Sequence, residues 1–175
     1  MTTSKVVFYN VLRFFLLILL QVLVLNHIYL GGFINPYFYI YFILLLPFDI
    51  PGGLLLLLSF LLGAGVDFFT NTMGLNISAC LAMGYARPYI IRWISSGPDS
   101  LIGNAPSLKN QGLKWFLYYS ISLIVIHHFV LFYLEAFRFT EFFKTFLRMM
   151  LSGIFTLLLV MISEYLFYPK EKKKG

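Results

Sequence analysis

Long apolar runs alternate with short polar breaks along this chain, and the length of each run decides what it can be. A helix needs about 20 predominantly apolar residues to cross a bilayer. The run 6–29 meets this, with Asn10, Arg13 and Gln21 marking one side of the expected helix. It is too long for a secretory leader and has no small-residue cleavage site before Gly31 and Gly32, so it reads as a retained span. After Asn35 a shorter run covers 36–48. It opens on Pro36, which suits a first helical turn, and stops at Pro47, Asp49 and Pro51. Its length marks it as tilted or only partly spanning.

A third run, 52–69, contains the leucine stretch Leu54 to Leu58. The turn Thr70, Asn71, Thr72, Gly74 leads into a fourth, 75–93. The most polar stretch, 94–112, carries Gly97, Pro98, Gly103, Asn104 and Pro106 and reads as the longest loop. The fifth run is 113–134. The sixth, 141–168, has Thr140 as its expected N-cap and Pro169 as its stop. These runs predict an all-α membrane protein, a six-transmembrane-helix bundle in one integral membrane domain over 1–175, with a basic tail at 169–175.

Composition sharpens this picture. Hydrophobic residues make up 60% of the chain and charged residues 11%, with a mean hydropathy of +0.85, too little polar surface to cover a water-facing globule. The formal charge of +6 raises the question of nucleic acid, but the basic residues lie between apolar runs and in the tail Lys170, Lys172, Lys173 and Lys174. That is the signature of membrane topology and of attraction to anionic lipid headgroups. Six crossings place both termini on one side. Taking that side as cytoplasmic puts Lys5, Arg87, Arg92, Lys109, Lys114 and the tail lysines inside, and Arg138, Lys144 and Arg148 outside, nine against three. Tyr29, Tyr37, Tyr39, Trp93, Trp115, Tyr133, Tyr165 and Tyr168 near the span ends read as interfacial anchors.

Few positions carry candidate chemistry. Ser59, Gly63 and Asp67 recur at i, i+4, i+8 on the third helix, with Gly65 beside them; Asn76, Cys80 and Gly84 repeat that spacing on the fourth. Small residues let helices approach closely in lipid, so the two stripes are expected to face each other across the turn at Gly74. A ligand groove along them is the rarer alternative. Asp67 is either an interfacial capping carboxylate or the partner of Lys144 or Arg148 on the sixth helix. Arg87, followed by Pro88, is expected at the end of the fourth helix, aimed at Asp49 or Glu164 or available to a partner. His127 and His128 point about 100° apart on a helix and cannot grip one metal from a single face. Interhelical hydrogen bonding outweighs a metal site built with Glu135 and His27. On the sixth helix Lys144, Arg148, Ser152 and Thr156 form a polar stripe that must face protein or water. One cysteine excludes an internal disulfide, and no nucleophile triad, zinc-protease motif or phosphate loop is present. No catalytic residue, cofactor or metal is expected.

Several segments, in order, resemble the rod-shape-determining MreD family in a form similar to that of Bacteroidetes. They are RFFLLILLQVLVLNHI from Arg13, ILLLPFDIP from Ile43, LLSFLLGAGVDFFTNTMGLN from Leu57 and ARPYIIR from Ala86. The resemblance implies a non-enzymatic subunit of the cell-elongation complex in the bacterial inner membrane. It would work with MreC and, through it, with RodA, the elongation transpeptidase and MreB. It also implies a fold shared with the substrate-binding components of energy-coupling-factor transporters, which supplies the alternative function of small-molecule uptake. Such a component should show an outward-opening pocket and alanines at i, i+4 on its first helix, and Val11 to Leu25 contains no alanine. A third class, an enzyme or flippase acting on a lipid-linked precursor, would need a polar cavity reaching the bilayer interior.

Overall fold

The computed structural model describes residues 3–28, 34–72, 74–95, 97, 101, 105–136 and 142–166. Tyr29, the glycines at 31 and 32, Pro98, Gly103, Asn104, Arg138, the Thr140 cap, Tyr168, Pro169 and the lysine tail lie outside them, as does the side chain of Lys5. Five long helices dominate: α1 (Thr3–Leu23), α3 (Gly52–Thr70), α4 (Leu75–Ile94), α6 (Leu113–Ala136) and α7 (Phe142–Leu166). Two one-turn helices lie between them, α2 (Tyr41–Leu44) and α5 (Leu108–Gln111), the latter inside the expected loop 94–112. Among the described residues there is no β-strand.

Four stretches are long and apolar enough to cross a membrane: Phe8–His27, Gly52–Thr70, Leu113–Ala136 and Phe142–Leu166. The other two expected spans differ, each for a physical reason. Helix α4 has the length, 20 residues, but carries Asn76, Arg87 and Arg92 and so lacks the apolarity. Run 36–48 is not one helix. It begins without regular structure, winds through a 3-10 turn at Phe38–Ile40 and a single α turn at Tyr41–Leu44, and leaves through Pro47. At 1.5 Å per residue a regular helix over 36–48 would reach about 20 Å, short of the about 30 Å hydrocarbon core. The irregular backbone leaves peptide groups without helical partners.

The packing follows from which faces are small. Helix α4 lies between α3 and α6, α7 packs on α6, and α1 packs on α3. A Cβ on Gly63 would sit 2.5 Å from Ile77 Cα and 2.6 Å from the Asn76 carbonyl oxygen, so α3 touches the backbone of α4 there. At Gly84 an added Cβ would run into the Ser59 side chain, and at Gly65 it would come within 2.9 Å of Ile18 on α1. The hairpin turn is shaped by Asn71 (φ 54°) and Gly74 (φ 81°), both left-handed, a conformation that asparagine and glycine tolerate best. Pro88 does not end α4, as the sequence led us to expect. The helix continues to Ile94, because the carbonyl opposite the proline ring belongs to Gly84 and its lost hydrogen bond is a tolerable defect inside a bundle.

Candidate functional site

The most unusual part of the protein is residues 34–48, buried at the centre with Tyr39, Ile40, Ile43 and Leu44 fully shielded. Irregular backbone at membrane depth survives only where neighbouring protein satisfies its polar groups. Each surrounding helix except α3 sends side chains to do so. From α1, Gln21 Nε2 donates to the Pro36 carbonyl at 2.8 Å, and its Oε1 accepts from Phe38 N–H at 2.9 Å. From α7, Ser152 Oγ accepts from Asn35 N–H at 3.1 Å and Thr156 Oγ1 from Tyr37 N–H at 3.0 Å. Further along α7, Glu164 accepts from the Tyr41 hydroxyl at 2.6 Å and from Leu108 N–H at 2.8 Å, tying the segment to α5.

The far end of the segment is closed by Arg87 of α4, which is 1% exposed. Its guanidinium donates to the carbonyls of Leu46 and Pro47 and, through Nε, to the Tyr119 hydroxyl of α6 at 2.8 Å. Tyr119 in turn donates to the Leu44 carbonyl at 2.9 Å. The expected carboxylate partners are therefore corrected: Asp49 is exposed and Glu164 is engaged elsewhere. The fork of guanidinium donors matches the carbonyl cluster left where the short helix ends. Arg87 thereby leaves the inside tally of topology charges.

Asp67 takes the capping role, and its expected pairing with Lys144 or Arg148 gives way to it. The carboxylate accepts from the backbone N–H groups of Asn76 (3.1 Å) and Ile77 (3.0 Å), from Asn76 Nδ2 (2.9 Å) and from the Thr72 hydroxyl. A negative charge here meets the free N–H groups and positive dipole end of α4. Arg148 instead lies 3.6 Å from Glu135 and over the Phe132 ring. Asn76 Oδ1 accepts from the Tyr39 hydroxyl at 2.8 Å, and His127 Nε2 lies 2.9 Å from that tyrosine oxygen. With Tyr39 donating to Asn76, His127 must donate through Nε2, which fixes its tautomer. His128 donates from Nδ1 to the Ile124 carbonyl at 2.9 Å. Both histidines thus serve interhelical or local bonding, and among the described residues no three His, Cys, Asp or Glu side chains gather for a metal.

The structure brings Ser59, Gly63 and Asp67 together with Asn76, Cys80 and Gly84 in one hairpin, with Cys80 buried and reduced. Gly65 faces α1, Pro88 is exposed, and Arg148 stands apart on α7. Sequence reasoning missed Tyr39, Tyr119 and Glu164 as members of the polar interior. Glu164 alone carried a signal, an acidic residue close to the end of an apolar run.

Two cavities flank the buried segment at opposite ends of the bundle. One, of about 350 Å³, is lined by Asn26, Asn35, Tyr37, Thr72, Asn76 and Glu135 among others. The other, of about 590 Å³, lies against the first half of α1 and the end of α7. Against protein-family models, curated proteins and solved structures the chain finds no match.

Proposed function

We propose that this protein is a non-enzymatic membrane subunit of the bacterial cell-elongation complex, of the MreD type, with both termini on the cytoplasmic side. It would couple MreC, and through it RodA, the elongation transpeptidase and MreB, to lateral wall synthesis. The observation that carries the proposal is the order and spacing of the four quoted segments, which run from α1 through the buried segment and the hairpin to the end of α4.

The geometry bears on how such coupling would work. The small-residue stripes on α3 and α4 are turned towards each other, and the polar stripe of α7 holds the buried segment. Neither is open to another chain. What α1 and α7 offer outward is apolar: Phe15, Leu19, Leu20 and Leu23 on one, Phe143, Leu147, Ile154 and Leu158 on the other. A partner's membrane helix would dock there by shape and dispersion, as helices associate in lipid. Pull-down of MreC with the detergent-solubilised protein is the test. Enrichment above an unrelated six-span protein is expected, and its absence counts against the proposal. Cysteine crosslinking from Leu23 and Leu158 should trap the partner helix, and crosslinking from Ser59 should not.

One observation favours a second function, the substrate-binding component of an energy-coupling-factor-type transporter. The smaller cavity, with its asparagine, threonine and glutamate lining, lies at the end that would face outward. Copurification with a paired ATPase and a bound vitamin would establish it, and the absence of alanine from Val11 to Leu25 weighs against it.

A further inference from the structure

The larger cavity plays no part in the proposal above. Helix α1 packs on α3 and the buried segment, and α7 packs on α6 and the buried segment, so the two helices part to leave a cleft with that segment as its back wall. The cleft takes in about 590 Å³. Leu12, Leu16 and Leu45 line it, and the exposure of Leu12 and Leu16 puts an apolar edge of its mouth on the flank of the bundle. Its lining on α1 runs from Tyr9 to Leu17. At 1.5 Å per residue that is about 12 Å, the reach of one leaflet in a core about 30 Å thick.

Charge distinguishes this cleft from a plain packing gap. Arg13 and Lys109 are both in its lining, and neither has an ion-pair or hydrogen-bond partner among the described residues. Glu164 also contributes, but its two oxygens are taken by the Tyr41 hydroxyl and the Leu108 N–H, so one occupied carboxylate shares the cleft with two cations that have no partner among the described residues. A guanidinium and an ammonium in the lining of one cleft favour a phosphate group.

We propose that this cleft binds one anionic phospholipid, its headgroup phosphate held by Arg13 and Lys109 and an acyl chain laid along Leu12, Leu16 and Leu45. The bound lipid would act as a wedge that completes the contact missing between α1 and α7.

The test is native mass spectrometry of the full chain released from mild detergent, titrated with phosphatidylglycerol and, in parallel, with phosphatidylcholine and inorganic phosphate. One phosphatidylglycerol should stay bound under activation that strips phosphatidylcholine, and inorganic phosphate should not displace it. Arg13→Gln and Lys109→Gln should each weaken retention about fivefold, the effect of one basic residue near an anionic headgroup. Lys114→Gln, at the same end but outside the cleft, should leave retention unchanged. Leu16→Trp should reduce it with both cations in place. Protection of Cys80 from thiol reagents reports that each variant is folded, and Lys109, being exposed, carries the test if Arg13→Gln is not. Equal retention of the two lipids, unchanged retention in both charge variants, or displacement by inorganic phosphate overturns the proposal. So does a photo-crosslinker at Leu16 that captures a second copy or another helix in place of lipid. No partner chain enters the experiment, so its failure is separate from failure of the MreC pull-down.

Discussion

The α3–α4 hairpin and the segment 34–48 meet inside the same bundle, through Tyr39 and Asn76, yet opposite features of sequence hold them. The hairpin is held by what its residues lack. Without side chains at Gly63 and Gly84, two regular helices come close together, and their own hydrogen bonds run throughout except at the Gly84 carbonyl opposite Pro88 and at the α4 N-terminus, which Asp67 caps. The segment is held by what other elements lend it, since its backbone is irregular and its N–H and C=O groups are met by Gln21, Arg87, Tyr119, Ser152 and Thr156. One region is close to self-sufficient; the other is a property of the assembled bundle. Their responses to substitution should therefore differ in kind.

The largest effect is expected at Arg87. Replacing it by leucine strips the Leu46 and Pro47 carbonyls and the Tyr119 hydroxyl of a buried donor, a loss of about 3 kcal/mol from unpaired polar groups. Denaturant unfolding in mixed micelles measures it. A cysteine introduced at Ile43 should become reactive to thiol reagents in this variant while Cys80 stays protected. Equal exposure of both would erase the distinction between the two regions. Arg87→Lys should restore only part of the loss, because one ammonium cannot span the carbonyl pair and the tyrosine together.

Next comes Gly63→Ala, at about 2 kcal/mol, since a methyl group there meets α4 backbone that cannot rotate aside. Gly65→Ala should cost less, because Ile18 is a flexible neighbour. Here the order of labelling reverses, with Cys80 exposed before position 43. Asp67→Ala should follow at about 1 kcal/mol, the usual worth of a helix cap. Glu135→Gln is expected to change stability by less than about 0.5 kcal/mol, because its pair with Arg148 is long and partly exposed.

Much of the hairpin was legible in the sequence, and little of the segment was. Four-residue intervals from Ser59 through Gly63 to Asp67, and from Asn76 through Cys80 to Gly84, carry the close approach directly, because helical period converts sequence position into a face. The four apolar spans were visible for the same reason, with ends within a few residues of those observed. Run 36–48 showed only that it was too short. Hydropathy reports whether residues avoid water and is silent on whether the backbone between them is wound or drawn out. The partners of Asp67 and Arg87 were sought among opposite charges, whereas in the fold backbone N–H and C=O groups left by helix ends answered both. Polar positions such as Gln21, Ser152 and Thr156 could be placed on inward faces, but what they face is an irregular segment, for Ser152 and Thr156 several helices away in sequence, which periodicity cannot reach.

The reliance of residues 35–41 on Ser152, Thr156 and Glu164 bears on how the protein is made. The ribosome delivers the early segment more than a hundred positions before its last three anchors emerge. Until translation nears its end, that stretch has no settled seat and depends on the insertion machinery to shelter it. A stop codon anywhere before 152 would yield a chain whose first helices reach the membrane but whose centre stays open, and such products should be cleared by membrane proteases far faster than the finished protein.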